Sequence, residues 1–140
     1  MQFSEIFSPE SLNKLMQCEP ALQKVLNRAA HTGLVNFGVI TGHRSEEEQN
    51  RLYRNGKSKV QWPKSKHNSK PSKAADLAVW LPQKGEYSWE EPHYAFLAGI
   101  VMACAAELQI PIRWGGNWDQ DLEVITDQDF DDLGHFELKT

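Results

Sequence analysis

Two histidine-bearing segments, far apart in the chain, constrain its fold more than any other feature. One runs Ser65-Lys66-His67 and on to Ala74-Ala75-Asp76; the other is Asp132-Leu133-Gly134-His135-Phe136-Glu137. Together they offer two imidazoles, a carboxylate between them in sequence, and a spare acid beside the second histidine. A catalytic zinc site takes three protein ligands and keeps a fourth position for water, whose pKa the metal lowers to about 7. A fold that serves this chemistry must bring His67, Asp76 and His135 to one point, and ligands from strand and loop ends can converge at the edge of a sheet. A lone histidine is ordinarily a solvated or hydrogen-bonded imidazole, and His31, His43 and His93 carry that reading.

The pattern of apolar residues supplies the elements. Ser8-Pro9-Glu10 opens a helix with Leu12, Leu15 and Met16 as its apolar face, and a second helix opens near Pro20 and runs through Leu22, Val25, Leu26 and Ala29 to Gly33. These form a helical hairpin. Leu34 to Thr41 alternates and reads as a strand; Ser45 to Glu48 has capping-box spacing and starts a short helix that Gly56 ends. Residues 57 to 72 are rich in Lys, Ser, Pro and Asn and read as a loop, after which Ala74 to Leu81 is a strand stopped by Pro82. The longest helix spans Trp89 to Leu108 and is expected to be buried nearly all round, because Met102, Ala103 and Ala105 fill the face opposite Phe96, Leu97, Ile100, Val101 and Cys104. Ile110 to Trp114 and His135 to Lys139 are further strands. Helices and strands do not alternate regularly, so the expected class is α+β, a small, mainly antiparallel sheet flanked by helices.

Composition limits the partners. A chain of 140 residues, 40% hydrophobic and 24% charged, suits one domain over residues 1–140. Its net charge of -4 argues against a nucleic-acid binder, which needs a clustered cationic surface. The one basic run, Lys57, Lys59, Lys64, Lys66, Lys70 and Lys73, leads through His67 and reads either as loop solvation or as a rim for an anionic substrate. Cys18 and Cys104 form no CxxC pair. Met1-Gln2-Phe3-Ser4-Glu5 lacks the basic and apolar stretches of a secretory signal, and the apolar run from Tyr94 to Ala106 is short of the ~20 residues that span a bilayer, so cytoplasmic synthesis without membrane insertion is expected. The acidic stretch Asn117, Asp119, Asp121, Glu123, Asp127, Asp129, Asp131 and Asp132 lacks the glycine and spacing of an EF-hand and reads as solvated loop in preference to a calcium site.

Taken in order, Ser65-x-His67, Ala74-x-Asp76 and Asp132-x-x-His135 resemble the SxHxxGxAxD and ExxH motifs of the zinc D-alanyl-D-alanine carboxypeptidases and L-alanyl-D-glutamate endopeptidases. Those enzymes cleave peptidoglycan stem peptides, and many are phage endolysins. Thr41-Gly42-His43-Arg44-Ser45 with Gln49, Leu52, Tyr53 and Gly56 looks like the family's upstream segment, and Arg113-Trp114-Gly115-Gly116-Asn117-Trp118 resembles its RWGGxW turn. The resemblance spans roughly Val39 to Leu138 and implies a hedgehog/DD-peptidase-like fold. It implies zinc ligation by His67, Asp76 and His135, an acid/base at Asp132, and at Arg44 a guanidinium that holds substrate and steadies the oxyanion. Ser65, Gln49 and Trp114 are candidate substrate contacts, with Trp114 and Trp118 equally readable as core.

The chain departs from the family pattern twice. The interval from His67 to Asp76 is two residues longer than in the motif, with Lys70-Pro71-Ser72-Lys73 in place of a short glycine turn, and the ligand set survives if the extra residues bulge outward. Asp132 stands where many members have Glu, leaving Asp129, Asp131 and Glu137 as competing acids, with Glu137 read as a partner that orients a ligand. The resemblance thus implies a monomeric, zinc-dependent peptidoglycan peptidase of endolysin type, cutting between L-Ala and D-Glu and reaching the cell wall or periplasm after release. A D-Ala-D-Ala carboxypeptidase and an inactive zinc-stabilised binding module are the alternatives; Arg44 and Asp132 together count against the latter.

Overall fold

The computed structural model describes residues 6–116 and 132–140. Helix α1, Pro9–Leu15, starts where the Ser8 hydroxyl accepts from Ser11 N at 3.2 Å and a proline occupies the first turn. Helix α2, Pro20–His31, buries the stripe Leu22, Val25, Leu26 and Ala29 that its spacing predicts. The two do not serve mainly as a hairpin, since strand β1, Phe37–Thr41, packs against α1, whereas α2 packs against the long helix α4, Glu91–Leu108. Met16 is the C-cap of α1 and is 57% exposed. Its predicted place is taken by Ser11, a buried hydroxyl that accepts from Val39 N at 3.0 Å.

Strand β1 begins later than the alternation from Leu34 predicts. The Thr32 hydroxyl donates to Ala29 O and accepts from Leu34 N, which ties that stretch to the end of α2. Helix α3, Glu46–Arg54, is capped by Ser45 as expected, its hydroxyl accepting from Glu48 N at 3.2 Å. Strand β2 has its predicted bounds, Ala74–Leu81. A short strand β3, Glu86–Tyr87, was not foreseen, for its exposed residues leave no alternation to read. Strands β4, Ile112–Trp114, and β5, His135–Leu138, complete the set. Helix α4 corrects another expectation. It buries Tyr94, Leu97, Ala98, Val101, Cys104 and Ala105, but Phe96 and Ala103 are exposed, because α2, β2 and β4 line only one side of it.

The sheet has the order β1-β2-β5-β4, with β3 paired to the end of β2, and every pairing is antiparallel. This is the α+β arrangement with helices packed on a small antiparallel sheet. Period-two alternation divides its faces. Phe37 and Val39, Ala75, Leu77 and Val79, Ile112 and Trp114, and Phe136 and Leu138 belong to the core. Each large side chain fully buried there contributes roughly 2 kcal/mol. Asp76, Arg113, His135 and Glu137 take the alternate positions, so one sheet face builds the core while the other carries the polar residues.

Close approach of β5 to β2 requires a glycine. A Cβ built on Gly134 would lie 2.4 Å from Leu77 O, a backbone atom that also accepts no shift without disturbing β2. Gly134→Ala should therefore destabilise the protein by about 2 kcal/mol, the usual scale of overpacking, measured as a lower urea midpoint at constant slope.

Candidate metal centre

The strand register places the polar residues. Asp76 on β2 lies directly opposite His135 on β5, and Glu137, two residues on, lies opposite Arg113 on β4. His67 arrives from outside the sheet on a 3-10 turn, Lys66–Asn68, where the Ser65 hydroxyl accepts from His67 N at 3.2 Å and Ser65 N donates to Asn68 Oδ1 at 3.1 Å. The chain leaving β1 braces this turn through Arg44 N, which donates to His67 O at 2.8 Å. The longer connection to Asp76 bulges outward only in part. Lys70 and Pro71 are exposed, while buried Ser72 donates its N–H to Gln17 O and accepts at its carbonyl from Glu19 N, both at 2.8 Å.

The imidazoles are oriented by their outer nitrogens. His67 Nδ1 lies 2.7 Å from Gly42 O, and a carbonyl can only accept, so Nδ1 carries the proton and Nε2 presents a lone pair. That Nε2 is buried and has no hydrogen-bond partner among the described residues, although Asp76 Oδ1 lies 3.3 Å away. Two acceptors face each other, an arrangement that a cation between them resolves. Asp76 Oδ1 is also 3.0 Å from His135 Nδ1, and His135 Nε2 is 2.8 Å from Glu137 Oε1. With Nε2–H donating to Glu137, the free lone pair of His135 is on Nδ1. His67, Asp76 and His135 thus offer three ligand atoms within 4.8 Å of one another and could hold a metal ion.

Charges around this cluster are matched. Burial opposes ionisation of Asp76, but the two histidines beside it, His135 through its hydrogen bond, outweigh that and hold the carboxyl well below the ordinary range. Arg44 supports the same ion, with Nη2 3.2 Å from Asp76 Oδ2 and Nη1 donating to Gln49 Oε1 at 2.9 Å. Glu137 is lowered too: burial works against it, and the hydrogen bond and charge of His135, then Arg113 and Lys66, prevail. Arg113 Nη2 bonds Glu137 Oε2 at 2.9 Å. Asp132 moves the other way, raised first by burial and then by the negative charge of Asp76.

These groups open on a cleft of about 320 Å³ whose lining includes Arg44, Ser65, His67, Asp132, His135 and Glu137. The structure therefore brings His67, Asp76, His135, Arg44, Asp132 and Ser65 together. It does not bring Gln49 or Trp114 to the substrate side. Gln49 is fully buried; its amide nitrogen donates to Ser58 Oγ at 2.9 Å and Val60 O at 2.8 Å, so the residue ties a loop to Arg44. Trp114 packs in the core with its indole N–H donating to Leu133 O at 2.8 Å. Both were candidate substrate contacts, Trp114 equally readable as core, and both have their polar atoms satisfied inside the protein. Trp118, Asp129, Asp131 and the rest of the acidic stretch before Asp132 lie outside the described residues. His31 and His93 bond Asn27 O and Ser88 Oγ away from the cluster. The thiol of Cys18 is pushed up to about 12 by burial and then by Asp76, which leaves it an inert core group. The sequence reading missed Gly42, whose contribution is a carbonyl, and the pairing of Arg113 and Lys66 with Glu137, which only the strand register reveals.

Fold and site together define a class, an α+β protein with a buried His-Asp-His cluster on the open face of an antiparallel sheet. The chain belongs to the phage L-alanyl-D-glutamate peptidase family, whose model matches residues 1–139. It is 30% identical over 114 residues to the L-alanyl-D-glutamate peptidase of Escherichia phage T5, covering 81% of each. Its fold matches the crystal structure of the Serratia marcescens L-Ala D-Glu endopeptidase ChiX with a TM-score of 0.76 at 32% identity, over 94% of this chain and 88% of that one.

His135 provides a test of the geometry in metal-free protein. Burial alone would lower its pKa, yet hydrogen bonds to Asp76 and Glu137 and the charges of Asp76 and Asp132 raise it from 6.5 to about 9. A raised folded-state pKa contributes stability that is fully present below pH 6.5 and is lost as pH rises through 9. Histidine NMR titration of chelator-treated protein should find His135 titrating near pH 9, and Glu137→Gln should lower that value. A midpoint near 6.5 in the unaltered protein would contradict the hydrogen bonding described.

Proposed function

We propose that this chain is a zinc peptidase that hydrolyses the L-Ala–D-Glu bond of peptidoglycan stem peptides and acts as an endolysin. The observation that carries the reading is the facing pair of acceptors, His67 Nε2 and Asp76 Oδ1, completed by His135 Nδ1, in a member of a family named for that activity. His67, Asp76 and His135 would hold the ion, and two imidazoles with one carboxylate suit zinc. Bound zinc would supply Lewis acidity and hydroxide at neutral pH.

The protein's own groups do the rest. Asp132 takes a proton from the attacking water and delivers it to the leaving amine, a task that its raised pKa suits. Glu137 is already committed to His135, Arg113 and Lys66, which favours Asp132 over it as the base. Arg44 holds Asp76 and, from the cleft wall, steadies negative charge on the substrate carbonyl. Ser65 fixes the turn that carries His67. We place the enzyme's action at the cell wall, after release from the cytoplasm in which it is made. Among the described residues, no helix is long and apolar enough to cross a membrane.

Digestion of purified muropeptides should yield fragments with a new D-Glu amino terminus, cease on chelation and resume with zinc. Release of terminal D-Ala instead would make the enzyme a carboxypeptidase. Asp132→Ala should keep bound zinc yet lose about a hundredfold to ten-thousandfold in turnover. His67→Ala and His135→Ala should lose zinc and activity together, with metal content measured directly. Full-rate hydrolysis by Asp132→Ala would remove Asp132 from its role.

A further inference from the structure

One wall of the cleft is built by the loop between α3 and His67, and it is cationic. Lys57, Lys59 and Lys64 line the same cleft as His67 and Asp132, although the whole chain carries a net charge of -4. The loop is anchored at its base by the two Gln49 donations to Ser58 and Val60, and Asn50 Oδ1 accepts from Trp62 N at 3.2 Å. Because Gln49 also accepts from Arg44, the lysine wall is tied through two side chains to the Asp76 carboxylate. Arg44 pairs with Asp76, and Arg113 and Lys66 pair with Glu137. No ion pair among the described residues involves Lys57 or Lys64. Like charges gathered on one wall repel, and an incoming anion relieves that repulsion.

The substrate of the proposed reaction carries such an anion. A glutamyl residue inside a peptide uses one carboxyl for its next bond and keeps the other. When that residue supplies the leaving nitrogen, its free carboxylate stays within a few bonds of the reacting carbonyl. Resting on the peptidase reading above, we propose that Lys57 and Lys64 receive the free carboxylate of D-glutamate and make the enzyme selective against stem peptides in which that carboxyl is amidated. The lysines act on binding, at the rim, and take no part in proton transfer.

The test compares two synthetic peptides that differ only in this group, one with D-glutamate and one with D-isoglutamine after L-Ala, cleaved by zinc-loaded enzyme. The kcat/KM ratio should favour the carboxylate about tenfold at low salt, the scale a few solvent-exposed ion pairs supply, with the difference residing in KM. Raising ionic strength should shrink the ratio, since exposed charges are screened. The double variant Lys57→Gln, Lys64→Gln, checked for an unchanged melting temperature, should bring the ratio near unity, and Lys→Arg at the same positions should restore it. Equal cleavage of both peptides by the wild-type enzyme, or a preference indifferent to salt, would overturn the assignment and leave the peptidase reading intact. Cleavage of neither peptide would overturn both.

Discussion

The structure turns on the Asp76 carboxylate, which is gripped from three directions. His67 and His135 approach one oxygen and Arg44 the other, and protonated His135 with the guanidinium offsets the desolvation that the carboxylate incurs. Breaking such a buried pair by deleting one partner typically costs about 3–5 kcal/mol, since the remaining charge is left uncompensated. The position of Asp76 is set by strand register on both sides, opposite Thr41 on β1 and opposite His135 on β5. A one-residue slip of β2 would turn Asp76 into the core and bring Ala75 or Leu77 to the site. Sheet pairing and chemistry therefore impose one requirement, and the irregularity in β1 between Val39 and Thr41 lies where the chain bends toward Gly42 and Arg44.

Two acids close to the cluster have been driven apart by their surroundings. Glu137 sits opposite Arg113 and beside Lys66, accepts from His135, and is held ionised. Asp132 sits where burial and the charge of Asp76 favour its protonated form. One carboxylate is thereby suited to hold an imidazole and the other to exchange a proton, a division that follows from environment and not from residue type. Gly115 makes room for the second, because a Cβ there would lie 1.9 Å from Asp132 O.

Much of this was legible in the sequence because it depends on local rules. Pro82 and the apolar run before it bound β2, the four-residue stripe defines α2, and the order of the histidine and aspartate motifs identifies the cluster. What was not legible depends on neighbours brought by the fold. Gln49 lay within a motif and was assigned to substrate, but its amide is used up by Arg44, Ser58 and Val60, residues whose convergence no local pattern announces. Trp114 could be groove or core until Leu133 O was seen to take its N–H. Helix α4 looked buried all round, yet small side chains such as Ala103 are tolerated in water, so an apolar sequence overstates contact on the outer side.

The proposed metal occupancy would be coupled to folding through the same geometry. Without a cation, the lone pair of His67 faces a carboxylate oxygen with no proton between them, while His135 satisfies that oxygen only by holding a proton it would otherwise lose near neutral pH. Ligand binding at such a cluster must displace that proton, so affinity should strengthen with rising pH as the competition eases. The outer partners are insensitive to this exchange: Gly42 O and Glu137 keep both rings aimed whether the inner nitrogens meet a proton or an ion. The sheet and the Ser65-capped turn thus preorganise the ligands, so that the conformational entropy of assembling the site is met during folding and little remains to be met on binding.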